Sequence, residues 1–503
     1  MVKNLMLLGL LVCGTYIIGQ DKKVEEVIKP IPKPQSFVTM HQGNFAGKSL
    51  KYKATAKETY LTNTEGDSVA SIWSVAYTLD PLGDKTKRPV TFVFNGGPGS
   101  ASMWLHMGFF GPKIVKVDSD AIKDDGAAPY NLVTNDHGLL DLTDIVFIDP
   151  VGTGYSRVVG KGKEKDYWGL KEDAKSVAQF MRQWITENER WFSPKYIAGE
   201  SFGTTRAAAV AGELEDEGQT MALNGLILIS QALDYAGSTS VQDNITSFVT
   251  YLPSMAASAW YHKKAGQGKS LESFVQECRA FNYTTYTPAL YKGNLLNATE
   301  KDEIAEKLSY FIGLDKNYIL RSDLRVLVPR FQKQLLAEKG LAIGRLDGRF
   351  MGDEADKVSE YPHLGDPSSY QIDAAYTASL NHYFASELQV KMDRPYLTSN
   401  NKIGELWRWR PVPDGTYWEP SAPNVARTLG DAMRRNTGMK ILVASGYYDL
   451  ICPFFDTEYT FARNGIVKER VKLTYYEGGH MMYLHEPDLI KLSKDIRAFL
   501  TKD

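Results

Sequence analysis

The sequence predicts an α/β protein in which a largely parallel central sheet carries an inserted, mainly helical cap. Short apolar runs alternate with helical periods over much of the chain, which is the pattern of buried parallel strands joined by helices. Between residues 236 and 396 this alternation stops and the helical period continues alone. A chain of 503 residues has room for one large domain with such an insertion, or for several average domains.

The first twenty residues, 1–20, are predicted to form a signal peptide. Lys3 supplies a positive start, and the apolar run over residues 5–18 is short for a transmembrane span. An uncleaved anchor is the alternative. A lipid anchor on Cys13 is not favoured, because the preceding Val12 is larger than the small residue that such sites prefer. The mature chain is therefore expected to be secreted or periplasmic, without a stable membrane span.

The remaining sequence divides into a leader, a sheet domain in two parts, and the cap. Charges and prolines in residues 21–35 predict an extended leader. The sheet domain is predicted over 36–235 and 397–503, with the cap at 236–396 between its two parts. Alternating residues at the start of the first part predict an antiparallel meander over 36–79. Buried strands are predicted at 90–94, 144–149, 195–199, 225–230, 440–445 and 471–476, and a long helix at 170–188.

The overall composition is that of a soluble globular protein, 43% of whose residues are hydrophobic and can build large cores. A net charge of −2, without long runs of either sign, predicts no nucleic-acid partner. The histidines are scattered and no His-Glu-x-x-His or paired Cys-x-x-Cys pattern occurs, so neither a metal site nor another cofactor is predicted. After signal removal only Cys278 and Cys452 remain, which indicates a core-stabilised protein of a bacterial export setting.

The segment Gly199-Glu200-Ser201-Phe202-Gly203 is the first motif that carries chemistry. A Gly-x-Ser-x-Gly match alone is weak, since many such matches are ordinary turns. Here a strand-like run precedes it and a helix-forming run follows it, as in the sharp turn that exposes a nucleophilic serine. The pattern predicts Ser201 as the nucleophile. Glu200 directly before it would not help to activate a serine, and is expected to serve another purpose.

The partners of a nucleophilic serine are expected later in the chain, in the order acid and then histidine. His480 follows the last predicted strand in a glycine-flanked loop, and Asp449 follows the strand before it. In this arrangement Asp449 would orient and stabilise the imidazolium, and His480 would carry the proton. A core histidine and a solvated loop aspartate are the alternative interpretations.

An oxyanion hole is predicted in the glycine-rich turn at residues 95–99, which directly follows a strand. Glycines expose backbone N–H groups with no side chain in the way, and one of them could act together with the N–H of Phe202. A phosphate-binding loop is the rival interpretation, but the lysine and the following Ser/Thr of such loops are missing.

Five segments of the chain, taken in order, resemble the serine carboxypeptidase family. They are NGGPGS, DPVGTGYS, GESFG, GYYDLICP and GGHM. The resemblance is to a bacterial-type member of that family. The resemblance runs from about residue 95 to the C-terminus, apart from much of the cap. It implies an α/β-hydrolase fold and the triad Ser201, Asp449 and His480. It also implies that the N–H groups of Gly97 and Phe202 form the oxyanion hole.

The resemblance assigns Glu200 and Asn95 to the substrate's C-terminal carboxylate. Two carboxylates can meet only if they share a proton, so this site would fill below neutral pH and empty above it. The sequence departs from the family at Phe109, which stands where a second glutamate is usual. Cys452 matches a buried thiol of some members and is expected to be free. The predicted substrate-binding residues are Asn95, Gly96, Glu200, Phe109, Cys452 and Met481.

The predicted function is that of a secreted serine carboxypeptidase, which removes C-terminal residues through an acyl-enzyme on Ser201 and is favoured at acidic pH. An esterase or acyltransferase with the same triad is the alternative, and Phe109 is the residue that keeps it open. A non-catalytic binding protein is disfavoured because every member of the triad is present. The expected partner is a peptide or a small acyl substrate.

Overall fold

The structure is a computed structural model that describes residues 30–123, 126–215, 218–409 and 422–501. The predicted signal peptide and most of the predicted leader lie outside the described residues. The strands are, in chain order, β1 (Ser36–Phe45), β2 (Lys48–Thr62), β3 (Ser68–Leu79), β4 (Val90–Phe94), β5 (Lys113–Val115), β6 (Leu132–Thr134), β7 (Asp144–Asp149), β8 (Arg157–Val158), β9 (Lys195–Ser201), β10 (Gly225–Gln231), β11 (Leu341–Ile343), β12 (Met351–Asp353), β13 (Lys440–Gly446) and β14 (Val471–Tyr476).

The α-helices lie mostly between these strands and in the long segment after β10. They are α1 (Met103–Leu105), α2 (Leu170–Glu187), α3 (Phe202–Leu214), α4 (Ile245–Tyr261), α5 (Leu271–Phe281), α6 (Thr287–Lys292), α7 (Ala298–Ile312), α8 (Lys316–Arg321), α9 (Val328–Gln334), α10 (Pro367–Tyr370), α11 (Asp373–Ser386), α12 (Asn401–Leu406), α13 (Ala426–Arg435), α14 (Phe454–Phe461) and α15 (Glu486–Thr501). None of the described helices is both long enough and apolar enough to cross a membrane.

The central sheet has the order β1-β2-β3-β7-β4-β9-β10-β13-β14, with β8 paired to β3. Strands β1, β2 and β3 form the predicted antiparallel meander, and β3 joins β7 antiparallel. From β7 to β14 every neighbouring pair is parallel. The predicted α/β class with a largely parallel central sheet is therefore confirmed.

The sheet is buried on both faces. Successive side chains of a strand point to opposite faces, so each strand contributes to two cores. In β10, Ile227 and Ile229 join the core on one face, which also contains side chains of α11 and α15. Leu226 and Leu228 join the core on the other face, against α2, α3 and α13. This double burial explains why the strands are continuous apolar runs in the sequence.

The segment after β10 forms a third apolar core of its own. Side chains of α4, α5, α7 and α9 meet there, and β11 contributes Ile343. The following helix α11 behaves differently, since Tyr376, Leu380, Tyr383 and Phe384 pack into the sheet-side core instead. The predicted cap segment 236–396 thus contains both a helical part with its own core, which a smaller apolar cluster joins to residues 447–455, and a helix that belongs to the sheet layer.

Parallel strands bring their carboxyl ends to one edge of the sheet, and the predicted site residues follow directly after those ends. Asn95 follows β4 and Ser201 ends the adjacent β9. Asp449 lies three residues beyond β13, and His480 lies four residues beyond β14. Sheet topology thus collects residues from four distant parts of the sequence.

Candidate active site

Ser201 sits at a strained turn between β9 and α3, with φ 60° and ψ −130°. A positive φ in a residue other than glycine costs on the order of 1–3 kcal/mol and persists only where the surroundings impose it. The surroundings here are tight. A Cβ atom on Gly199 would lie 2.3 Å from the carbonyl oxygen of Gly203, and one on Gly203 would lie 2.8 Å from that of Phe94. The two glycines let the turn close and hold the serine out of the sheet.

His480 and Asp449 form a buried hydrogen-bonded pair, with 2.8 Å between His480 Nδ1 and Asp449 Oδ2. The other oxygen of Asp449 accepts the backbone N–H groups of Ile451 and Cys452, at 2.7 and 2.8 Å. These bonds fix the carboxylate, and the carboxylate fixes the orientation of the ring. Burial lowers the pKa of His480, but Asp449 and Cys452 outweigh burial and raise it well above its ordinary value.

The backbone of His480 is held from both sides. Its N–H donates to the carbonyl of Leu346 over 2.6 Å, and its carbonyl accepts the hydroxyl of Ser230 over 2.7 Å. The preceding N–H, that of Gly479, donates to the buried carboxylate of Asp347. The loop that carries the imidazole is therefore anchored to β10 and to the turn after β11.

The glycine turn after β4 lies directly against the start of α3. A Cβ atom on Gly96 would come within 2.5 Å of the backbone nitrogen of Phe202, so only glycine fits there. Gly97 has φ +107°, a conformation that side-chain-bearing residues rarely adopt. The predicted oxyanion donors, Gly97 and Phe202, line the same cavity as Ser201.

Glu200 is buried and holds one neutral donor on each carboxylate oxygen. The Nδ2 of Asn95 donates to Oε1 over 2.9 Å, and the hydroxyl of Tyr483 donates to Oε2 over 2.7 Å. Asn95 is itself fixed, since its Oδ1 accepts the N–H of Leu105 over 3.0 Å. Burial raises the pKa of Glu200 to about 7, against the opposing effects of His480, Tyr483 and Asn95.

One cavity of about 970 Å³ contains nearly all of the predicted site residues. Asp449 is fully buried behind His480 and does not line it. Phe109 does not line it either. The predicted residues that line the cavity are Asn95, Gly96, Gly97, Glu200, Ser201, Phe202, Cys452, His480 and Met481.

Phe109 departs from the expectation that it contacts substrate. It lies in a π-helical turn (His106–Phe110) and is buried, with its ring against Phe110 and 6.3 Å from the ring of Tyr483. An apolar ring is favoured in the core, and the turn directs this one away from the cavity. Phe109 is thus a packing residue under the site.

The structure adds residues that no sequence motif had indicated. Tyr483 is the second hydrogen-bonding partner of Glu200, and its position three residues after His480 was the available signal. Trp104 and Tyr251 supply aromatic wall to the cavity, and Arg345 and Asp373 supply charge. These four come from separate parts of the fold, so no local pattern marks them.

Asp449, Cys452 and His480 are the described residues whose donor atoms come close enough together to hold a metal ion, all within 4.8 Å. Burial raises the pKa of the Cys452 thiol to about 11, so the thiol is protonated at neutral pH when no metal is bound. The Nδ1 of His480 is already engaged by Asp449. The set fits a proton relay better than a metal centre. Cys452 and Cys278 are both free thiols.

Sequence comparison agrees with this geometry. A family model described as serine carboxypeptidase matches residues 60–481, which include every predicted site residue. The chain belongs to the serine carboxypeptidase family. The resemblance inferred from the motifs is thereby confirmed.

Individual relatives of this serine carboxypeptidase family member are distant. Serine carboxypeptidase-like 16 of Arabidopsis thaliana is 28% identical over 154 residues, 29% of this chain, and the match spans only 34% of that relative's length. Among solved structures, Kex1(Δ)p, a prohormone-processing carboxypeptidase from Saccharomyces cerevisiae, gives a TM-score of 0.54 at 16% identity and covers 90% of this chain and 91% of that one. A proline iminopeptidase from Mycobacterium smegmatis gives 0.34 at 14% identity, with 92% and 97% covered. The Kex1 likeness supports the α/β-hydrolase fold.

Proposed function

We propose that this protein is a serine-type carboxypeptidase that hydrolyses the C-terminal peptide bond through an acyl-enzyme on Ser201. The observation that carries the proposal is the buried Glu200 beside the nucleophile, with a pKa of about 7. A protonated carboxyl group at this position can donate a hydrogen bond to the terminal carboxylate of a peptide. A plain esterase has no use for it, because it would cost stability without contributing to activation of the serine.

The proposed reaction begins when His480 takes the proton of the Ser201 hydroxyl and the oxygen attacks the scissile carbonyl carbon. The N–H groups of Gly97 and Phe202 donate to the oxyanion that forms. As the C–N bond breaks, His480 returns its proton to the leaving amine, and the acyl group remains on Ser201. Water then attacks the ester with His480 again as base, which releases the acid and restores the serine.

The pH preference follows from two groups with opposite requirements. Glu200 must be protonated to receive a carboxylate, so binding of a free acid weakens as pH rises through about 7. His480 must be neutral to act as base, so the chemical step accelerates as pH rises. Free-acid peptides should therefore have their optimum at lower pH than neutral esters do. This is the basis for proposing that the optimum for peptides lies on the acidic side of the optimum for esters, while the raised pKa of His480 limits turnover at still lower pH.

We also propose export of the protein, on the basis of the apolar run that follows Lys3 in the first twenty residues. The alternative function, an esterase or acyltransferase, remains a second candidate because Phe109 packs in the core and supplies no second carboxyl group. It would use the same serine and histidine without depending on Glu200.

A peptide pair that differs only at its C-terminus, as free acid or amide, separates the two candidates. We expect the free acid to be hydrolysed faster than the amide at acidic pH, with a preference that shrinks as pH passes about 7. Ser201→Ala enzyme serves as the blank. Equal rates for acid and amide at every pH would eliminate the carboxypeptidase and favour the esterase or acyltransferase.

A further inference from the structure

We propose that Tyr483 is the positioning residue of the carboxylate-binding site, where its phenol fixes Glu200 so that a substrate carboxylate is received through one exchangeable proton. The inference rests on the proposed function and deepens it. It assigns a role to a residue outside the triad and predicts how many protons govern the binding of a free-acid substrate.

In the described part of the chain, two side chains hydrogen-bond to the carboxylate of Glu200. Tyr483 donates to Oε2 over 2.7 Å and Asn95 donates to Oε1 over 2.9 Å. Both donors are neutral. An amide does not titrate, and burial raises the pKa of Tyr483 well above its ordinary value, so the phenol keeps its proton through the acid and neutral range. The exchangeable proton of the site therefore belongs to Glu200.

The fold provides a place built for this phenol. Tyr483 lies in a short turn (Met482–Leu484) just after His480 and is 2% exposed. A Cβ atom on Gly108 would lie 2.4 Å from its Cε2, so the absence of a side chain at position 108 makes room for the ring. The ring of Phe109 also lies near Tyr483, with 6.3 Å between the two ring centroids. Phe109 thus packs beside Tyr483, and the second carboxyl group that a glutamate would supply at this position is replaced by an apolar ring.

The charged and titratable groups near Glu200 come from several elements. His480, on the loop after β14, lowers its pKa, and Asp449, on the loop after β13, raises it. Behind Tyr483 lies Tyr376 of α11. Arg206 of α3 donates to the backbone carbonyl of Asn95 and is paired with Asp173. Among these groups, Glu200 is the carboxyl group that accepts hydrogen bonds from both Tyr483 and Asn95.

One exchangeable proton has a definite kinetic consequence. Above the pKa of Glu200 each pH unit removes nine-tenths of the protonated form, so the affinity for a free acid should fall about tenfold per unit. A site that relied on two protonated carboxyl groups would lose about a hundredfold per unit once both had titrated. In both cases the affinity for the free acid falls as pH rises, and the fall per pH unit distinguishes one exchangeable proton from two.

The experiment measures the inhibition constant of an N-acetylated dipeptide, as free acid and as amide, with p-nitrophenyl acetate as the reporter substrate. In wild-type enzyme the constant for the acid should rise about tenfold per pH unit above pH 7, and that for the amide should stay flat. Tyr483→Phe should raise the constant for the acid about tenfold at pH 5, where Glu200 is protonated but no longer held. Because a donor to the anion is lost, the rise with pH should also begin at a higher pH.

Tyr286→Phe is the matched control, because its buried phenol donates to the carbonyl of Leu324 within the helical core, over 2.6 Å. It should behave as wild type in every measurement. Two results would overturn the inference while the proposed function stands. One is a wild-type inhibition constant for the free acid that rises about a hundredfold per pH unit, and the other is a Tyr483→Phe enzyme indistinguishable from the control. Equal binding of acid and amide at every pH would overturn both. If Tyr483→Phe does not fold, the wild-type slope still decides.

Discussion

His480 Nδ1 lies 2.8 Å from Asp449 Oδ2, and neither side chain is exposed to solvent. The bond leaves the other ring nitrogen, Nε2, as the one that can exchange a proton with a substrate or a hydroxyl. Because Asp449 is held by two backbone N–H groups, it can orient the ring without moving itself. The hydrogen bonds thus fix the orientation of both members of the pair.

Ser201→Ala should abolish hydrolysis and labelling by a fluorophosphonate. Without the hydroxyl there is no acyl-enzyme, and triad losses elsewhere reduce turnover by about a millionfold. The thermal unfolding temperature should not fall, since the alanine removes only one oxygen atom from a partly exposed position. A variant that retains more than about a thousandth of wild-type turnover would contradict the role of Ser201.

Asp449→Asn should reduce ester turnover by about 10⁴-fold, because the ring loses both its orientation and its counter-charge. The charge of Asp449 raises the pKa of His480. Its removal should therefore move the acid limb of the pH–rate profile to lower pH even as the maximum falls. The measurement is kcat/KM for p-nitrophenyl acetate between pH 4 and 9. An acid limb that stays in place would mean that another group controls it.

Glu200→Gln should change both binding and stability with pH. The folded-state pKa of about 7 lies above the ordinary value of 4.5, so wild type loses stability as pH rises between these two values. Relative to wild type, the glutamine variant should gain on the order of 3 kcal/mol in free energy of unfolding between pH 4 and pH 8. It should also bind free acids without the loss of affinity above pH 7. Chemical denaturation at the two pH values tests the first point, with exposed Glu303→Gln as the control.

Asp173→Ala should destabilise the protein by about 3–5 kcal/mol, because it leaves Arg206 buried without its charge partner. Arg206 also donates to the carbonyl of Asn95, so activity should decline together with stability. Asp302→Ala removes one partner of an exposed ion pair with Lys316 and should leave the unfolding temperature nearly unchanged. Similar unfolding temperatures for the two variants would refute this role of the buried pair.

Limited proteolysis should cut the helical part of the segment 236–396 before the sheet. The helices from α4 to α9 share a core that is distinct from the two cores of the sheet, and a smaller apolar cluster joins them to residues 447–455, so they should open before the sheet does. Helix α11 packs into the sheet-side core and should be protected longer. Early cleavage in β9 or β13 would show that the helical part is not an independent unit.

The sequence by itself determined the sheet and the triad candidates, because both depend on local residue patterns. Buried parallel strands must be apolar on both faces, and the predicted runs at 90–94 and 144–149 coincide with β4 and β7. The turn at Ser201 needs glycines at fixed spacing, and Asp449 and His480 could be located because each follows a strand. The family resemblance, in turn, implies a free Cys452, and the thiol is free in the structure.

Only the tertiary structure decided which side chains surround Glu200. Tyr483 lies 283 positions from it along the chain, and no local pattern joins the two. The role of Phe109 could not be read from its position either, because the direction of its ring depends on a π-helical turn. The same holds for α11, whose helical period is compatible with either core. Local patterns set the elements, whereas contacts between distant residues depend on how those elements pack, and packing is a property of the whole fold.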